Sequence, residues 1–492
     1  MGLTLSFQDL QRQLQPDIAQ VGPGSDPWDV LVMPSLNMSQ EQMALVEGAH
    51  HYEERQLFEL IRLRQPRARM VFVTSKLLPD LVVDSVLELL QGVPISHARQ
   101  RLQMFDTDDA SPRPLAAKLL ERPRLLKRIR DSLRPGRSYL SCYNVGDLEC
   151  RLSEALQLPL MGCDPELSSW GHKAGGRALF RRCGLPHPDG SELVYSFDGL
   201  LEASLDLLDH KPGLRRAVVK LNQGFSGEGN ARLELEPLQL QACSPQERRD
   251  RLRLALETLP MPAAGWRSQL QDQGALVEEW LEGGEAITSP SVQGVIHPGG
   301  CVEVLSTHEQ HLGGESGQVY LGCQFPADPA YRLELQRWGE AVGNALAELG
   351  ALDHFSVDGL ARRFGDRWDL QAIEINLRKG GTTHPYQVLR FLSNGHMDAS
   401  TGAFLSPQGS ELHYLATDNF MHPRLRGLLP MDLIDAVAEA GLHYDALKES
   451  GSVFHLLGCL SEHGKLGMTC IGTTLAEARE VDARTRARLL EM

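Results

Sequence analysis

Basic charge is what this chain has little of. Against 64 Asp and Glu it sets 49 Lys and Arg, a formal net charge of −15. Nucleic acid is held by a basic surface, so it is excluded as the principal partner. A small anionic ligand is not excluded, because a few local cations can bind it inside an acidic molecule. Long apolar runs are missing as well. No stretch approaches the roughly 18 residues that cross a bilayer, so no membrane partner is expected. The nine cysteines include no Cys-x-x-Cys pair and no closely spaced framework, and their number is odd. Reduced thiols in a cytoplasmic protein account for that most simply. Asp9 falls where a signal peptide needs an apolar core, so no secretion signal is expected. Gly2 and Ser6 meet the loose myristoylation pattern, which is short enough to match by chance. There is no Gly-x-Ser-x-Gly elbow, no Gly-Lys-Ser/Thr phosphate loop and no Gly-rich dinucleotide fingerprint, which removes three common enzyme classes. Repeats and low-complexity tracts are absent.

What is present is the composition of a soluble globular protein, 42% hydrophobic and 23% charged over 492 residues. That length exceeds one core and implies about two to four domains. After a short amphipathic helix and a Gly/Pro linker (1–25), short apolar runs at 29–36, 69–75, 102–106 and 139–143 alternate with helical stretches such as 40–63 and 81–90. Such alternation predicts an open, mostly parallel sheet. The basic stretch 122–137 carries Leu125, Leu126, Ile129 and Leu133 on one helical stripe, so it reads as a solvated helix face rather than a nucleic-acid or membrane surface. Beyond Gly395 the chain changes character. Runs at 453–460 and 466–472 around Ser461–Lys465 predict a β-hairpin. Thr474 and Glu477 predict a capping box that opens a final helix over 475–490.

The stretch 371–385, QAIEINLRKGGTTHP, is the most informative. Glu374, Asn376 and Arg378 alternate along an extended run, so they project from one face of a strand, with Ala372, Ile373, Ile375 and Leu377 among them as in a buried strand. A carboxylate, an amide oxygen and a guanidinium side by side suit a metal-bound polyphosphate: hard oxygen ligands for Mg²⁺, and a fork for phosphate or carboxylate. The plain alternative is an edge strand carrying a salt bridge. Upstream, Asp358 in FSVDGL can join the oxygen set, because a short turn at 364–367 would pair its strand antiparallel with that of Glu374. Two carboxylates so close repel unless a cation or a proton lies between them.

Four further features precede these. Lys173 stands ahead of an amphipathic helix at 174–183. Lys220 is embedded in the apolar strand AVVKLN, where it needs a polar outlet or a counter-ion. QGFSGEGN (223–230) is a Gly-rich turn between two strands, whose N–H groups can close over an anion. LVEEWLEGGE (276–285) is an acidic strand whose edge can read adenine, with Glu285 placed for ribose hydroxyls. Taken singly, each has an ordinary structural explanation. His308 and His311 lack zinc-protease spacing and read as polar residues near the site. His384, a histidine before proline, reads as a structural hydrogen-bonder rather than a base.

In this order the features resemble the ATP-grasp superfamily. EINLRKGGTTHPY and HLLGCLSEHGKLGMTCIG are similar, more narrowly, to the peptide ligases related to the pheganomycin ligase. The resemblance implies an α/β chain in three parts: a Rossmann-like pre-ATP-grasp domain (1–160), a two-lobed ATP-grasp domain (161–395) and a small C-terminal α+β domain (396–492). It implies ATP and Mg²⁺ as cofactors. Lys173 and Lys220 match the lysines on the nucleotide phosphates. Gly224, Ser226, Gly227 and Gly229 match the loop that closes over them. Glu278 and Glu285 match adenine and ribose contacts, with the backbone of Glu279 and Leu281 at the adenine edge. Asp358, Glu374 and Asn376 match the Mg²⁺ ligands, and Arg378 matches the arginine at the acyl phosphate. Between Glu285 and Asp358 no basic residue can be matched to the phosphate site. The implied reaction joins a small-molecule carboxylate to an amine, each an amino acid or short peptide, through an acyl phosphate. A phosphotransferase on the same fold and a non-catalytic ATP-binding regulatory subunit remain as alternatives. The oligomeric state stays open, a homo-oligomer included.

Overall fold

The apolar runs near the N-terminus pair in parallel. The computed structural model describes residues 4–19, 27–36, 43, 46, 48–224, 229–260, 265–313, 317 and 319–492. In it β1 (Asp29–Met33), β2 (Met70–Thr74), β3 (Leu102–Asp106), β4 (Ser138–Cys142) and β5 (Leu160–Met161) form a parallel sheet in the order β3-β2-β1-β4-β5. β1, β2 and β4 are buried along their whole length, as strands covered on both faces must be. The basic segment forms the helix Pro123–Asp131, with Ile129 and nearby Leu133 buried and its arginines at the surface side. The helix expected over 40–63 falls partly outside the described residues. From Ala49 to Arg64 the chain winds as a tighter 3₁₀ segment.

A small antiparallel sheet follows. β6 (Arg216–Leu221) pairs with β7 (Asn230–Glu234) on one side and β8 (Ala275–Glu279) on the other. Helices Phe197–His210 and Pro245–Glu257 cover it, and Leu200, Leu201, Val219, Leu252 and Val277 share its core.

The third sheet has eight strands and begins with β9 (Ala286–Ile296), β10 (Val302–Gly313), β11 (Val319–Phe325), β12 (Asp353–Phe364) and β13 (Arg367–Asn376). After the ribbon β14 (His396–Asp398) and β15 (Ala403–Leu405), it is completed by β16 (His413–Met421), β17 (Gly451–His455) and β18 (Lys465–Gly472). The order is β13-β12-β9-β10-β11-β16-β18-β17. Strands β16, β17 and β18 therefore extend this sheet, while β14 and β15 pair only with each other. Helix Arg332–Glu348 lies across it and buries Leu335, Trp338 and Val342 against the strands.

β12 and β13 form the expected hairpin, Phe364 opposite Arg367. Gly365 takes φ +62° in its two-residue turn, a value glycine adopts without strain. The second predicted hairpin differs. β17 and β18 do pair antiparallel, but a short helix, Gly458–His463, joins them in place of a turn. The cause is tertiary: Glu54 accepts the Gly458 N–H at 3.0 Å and so caps that helix from another part of the chain. The final helix, Leu475–Leu490, is capped by Thr474 as expected, while Glu477 reaches Thr473 instead of closing the full box. All nine cysteines are free. Among the described residues no helix is long and apolar enough to cross a membrane.

Candidate active site

The hairpin brings the acidic set together. Asp358 on β12 lies directly opposite Glu374 on β13, and a bulge follows at once, between Asp358 and Gly359. Bulges re-aim side chains beside functional sites, and this one sits next to both carboxylates. Asn376 donates to Asp358 Oδ2 at 3.0 Å, and Gln310 on β10 donates to Oδ1 at 2.9 Å. Arg378, just past the strand, donates to Asn376 Oδ1 at 3.1 Å. The alternation read from the sequence thus holds. β13 is not a buried strand, however. It is the half-buried edge of the sheet, and Glu374 forms an ion pair with Lys173. The plain alternative is met to that extent. What a simple salt bridge leaves unexplained is the second carboxylate. Burial and the Glu374 charge push the Asp358 carboxyl up to about 7, although Arg378, Gln310 and Lys173 work against the rise. A pair held in that state accepts a divalent cation readily, and its neighbours Asn376 and Gln310 supply further neutral oxygens.

Lys173 opens the helix Lys173–Cys183. Its N–H donates to the Asn222 carbonyl and the next N–H to the Asn222 side chain, both at 3.1 Å. Asn222 follows β6 directly, so this short bridge ties the small lobe to the acidic hairpin through Lys173 and Glu374. The lobes are joined again where Arg362 donates to the Glu282 carbonyl at 2.8 Å and Glu285 N–H to the Arg363 carbonyl at 2.8 Å.

Within the small lobe, Lys220 finds its counter-ion. Its ammonium donates to Glu278 Oε2 at 2.5 Å, and Arg177 donates to Oε1 at 2.9 Å. Burial would raise the Glu278 carboxyl, but the Lys220 and Arg177 charges hold it below the usual range. Glu279 accepts from Lys211 at 2.6 Å and from the Asp189 N–H at 2.9 Å. Leu281 is buried, whereas Glu285 is exposed and 3.5 Å from Arg363. Of the Gly-rich turn, Gly224 and Gly229 flank the β6–β7 connection, and Ser226 and Gly227 lie outside the described residues.

Beyond β13 the chain is anchored to the first sheet. Lys379 is buried and donates to the Cys142 carbonyl and to Asp353, each at 2.8 Å, while its N–H meets the Tyr143 carbonyl at 3.2 Å. This clamp fixes the direction from which Arg378 emerges. His384 begins the helix Thr383–Ser393 instead of sitting in a loop. It is buried beside Asp418 and His455. His308 is a core residue, bonded to the Tyr414 hydroxyl at 2.6 Å, and His311 is exposed at the end of β10.

Sequence reasoning missed Arg177, Asn222, Gln310 and Lys379. Arg177 had a signal, since it lies one helical turn after Lys173 and so shares its face. The other three act through contacts between segments far apart in sequence.

The chain is similar to several known proteins. Residues 432–485 match the family described as PGM1 C-terminal domain. An L-propargylglycine–L-glutamate ligase of Streptantibioticus cattleyicolor is 29% identical over 485 residues, which cover 95% of this chain and 94% of that protein. IQ motif-containing protein H of Danio rerio is 23% identical over 92% of this chain, and the chain spans about half that protein's length, 48%. Among solved structures, the Campylobacter jejuni biotin carboxylase in complex with β-γ-ATP superimposes with a TM-score of 0.56 at 12% identity, over 94% of each chain. The Aspergillus clavatus N5-carboxyaminoimidazole synthase, in complex with ADP and 5-aminoimidazole ribonucleotide, gives 0.50 at 14% identity, over 94% of this chain and 99% of that one. The fold shared with both is ATP-grasp.

Proposed function

We infer that this ATP-grasp chain, similar over most of its length to a peptide-like ligase, is an ATP-dependent, ADP-forming carboxylate–amine ligase. The observation that carries the site assignment is the cross-strand pair Asp358–Glu374, with Lys173 on one side and Asn376 and Arg378 on the other. The substrates we propose are those of the relative's class: one amino acid supplies the carboxylate and another the amine.

Asp358, Glu374 and Asn376 fit Mg²⁺, since two carboxylates that cannot both ionise comfortably and an amide oxygen are already gathered at one point. The bound ion would neutralise the nucleotide phosphates and align the γ-phosphate for transfer. Lys173 and Lys220 would exchange their present carboxylate partners for phosphate oxygens. The Gly-rich turn, with Gly224, Ser226, Gly227 and Gly229, would cover the phosphates and exclude water, which otherwise hydrolyses an acyl phosphate. Adenine would lie against β8, at Glu278, Glu279 and Leu281, with the ribose towards Glu285. A carboxylate oxygen of the first substrate attacks the γ-phosphorus, and ADP leaves. The amine nitrogen of the second then attacks the acyl carbon, loses its proton to solvent or a base, and phosphate leaves. Arg378 would hold the acyl phosphate and the developing oxyanion through its fork. Nine free thiols suit a reducing compartment, and we assign the chain to the cytoplasm on that ground.

The test is release of ADP and phosphate across a panel of amino acids and dipeptides, with mass spectrometry of the products. An amide formed in step with ADP and free phosphate supports the ligase. A phosphorylated acceptor without free phosphate would replace it with a phosphotransferase. Nucleotide binding with no turnover on any substrate would favour a regulatory subunit.

A further inference from the structure

Where the 3₁₀ segment Ala49–Arg64, the helix Thr383–Ser393 and the strands β16 and β17 meet, three side chains converge to which the proposed ligase reaction gives no role. His384 Nε2 lies 3.4 Å and His455 Nε2 lies 2.7 Å from the same oxygen, Asp418 Oδ1. Among the described residues they form the one group of three His, Cys, Asp or Glu whose ligand atoms all lie within 4.8 Å of one another. We propose that His384, Asp418 and His455 bind a single borderline divalent cation, with Zn²⁺ as the natural probe.

Four observations carry this. First, His384 is 4% exposed, and its Nε2 has no hydrogen-bond partner although it points at a carboxylate. A buried polar atom left so is costly and needs a reason. Second, the His384 spacing suits a metal better than a hydrogen bond, while His455 Nε2 is hydrogen-bonded to the same oxygen. With metal–ligand bonds of about 2.0–2.2 Å, tetrahedral neighbours stand about 3.3–3.5 Å apart. The His384–Asp418 gap of 3.4 Å already has that length, and the His455 contact of 2.7 Å must open by about 0.6–0.8 Å. His455 then carries its ring proton on Nδ1. Third, the carboxylate is oriented from behind. Arg55 donates to Asp418 Oδ2 at 2.9 Å and is itself set against the Tyr52 and Tyr143 rings, at 4.7 and 5.0 Å. Oδ2 is thereby occupied and Oδ1 turned to both imidazoles, as outer partners orient metal ligands elsewhere. Fourth, the backbone makes room for the arrangement. His455 crosses over Gly467 of β18 to reach Asp418, and a Cβ at 467 would stand 2.0 Å from its Nε2.

Two imidazoles and one carboxylate select a borderline ion over Mg²⁺. Because Arg55 already balances Asp418, the fourth position takes an anionic donor, hydroxide being the simplest. This site does not depend on the ligase assignment.

The test strips the full-length chain with a chelator, dialyses it against limiting ZnCl₂ with MgCl₂ in excess, and measures metal by mass spectrometry. The expected result is one zinc per chain. Asp418→Asn and His455→Ala should weaken retention by at least roughly tenfold, the loss that even an outer partner causes. Glu374→Gln, in the acidic hairpin, should retain zinc fully. Co²⁺ in place of zinc should give the visible bands of a four-coordinate ion without a thiolate charge-transfer band. A wild-type chain that keeps no zinc overturns the proposal without any variant. So does equal retention by the folded Asp418→Asn and His455→Ala chains, or a thiolate band that assigns the ion to cysteines.

Discussion

Glu278 in the small lobe and Asp358 in the central sheet are both enclosed carboxylates near cations, yet their protons are held in opposite ways. Glu278 has Lys220 and Arg177 on its two oxygens, and together they more than offset the cost of burial. Asp358 has Glu374 opposite, and its neighbours do not compensate, so its carboxyl rises to about 7. A third carboxylate sharpens the contrast. Asp353 lies on the same strand as Asp358, but Lys379 and His354 overcome its burial and hold it well below the usual range. Glu278 and Asp353 are thus compensated, whereas Asp358, with Glu374 opposite it, is left short of positive charge, which a bound cation would supply. The Glu278 cluster sets two cations on one carboxylate, whereas the Asp358–Glu374 pair sets two carboxylates side by side.

That difference can be broken from either side. Glu374→Gln removes the repulsion and one oxygen ligand together. ATP-dependent ADP release at saturating Mg²⁺ should fall by roughly 10²-fold or more, the scale of losing an essential electrostatic group. Full turnover in that variant would remove Glu374 from the site. In the other lobe, Lys220→Met leaves Glu278 with one partner. The cost should be about 3 kcal/mol of stability, as for other broken buried pairs, read as a lower urea midpoint. An unchanged midpoint would mean that Arg177 alone compensates Glu278. A further effect is on pH. The folded Asp358 carboxyl titrates near 7 against 3.8 in the unfolded chain. The stability it contributes is full below 3.8 and is lost as pH rises through 7. In Mg²⁺-free buffer, wild-type stability should decline over that window, and Asp358→Asn should flatten the decline. If both chains follow the same curve, the raised proton affinity does not belong to Asp358.

Much of this was legible in the sequence because it depends on neighbours. The parallel strands announced themselves as short apolar runs, and the β12–β13 hairpin as two such runs around Phe364–Arg367. Alternation alone placed Glu374 and Asn376 on one side. The rest depends on pairing between distant segments. No local pattern says that β16, β18 and β17 continue the sheet begun by β9, or that Glu54 caps Gly458 and turns a hairpin loop into a helix. Glu278 shows the limit most plainly. Its place in the strand was readable from its spacing. That Lys220 and Arg177 would claim both its oxygens was not, since the second comes from a helix about a hundred residues earlier in the chain.

The most direct measurement is a crystal structure of the chain with Mg²⁺ and a non-hydrolysable ATP analogue. The account predicts Mg²⁺ bound by oxygens of Asp358, Glu374 and Asn376 at about 2.1 Å, with Lys173 and Lys220 turned to the phosphates. A metal held elsewhere, with Lys173 still paired to Glu374 and the nucleotide bound away from β8 and β13, would contradict it.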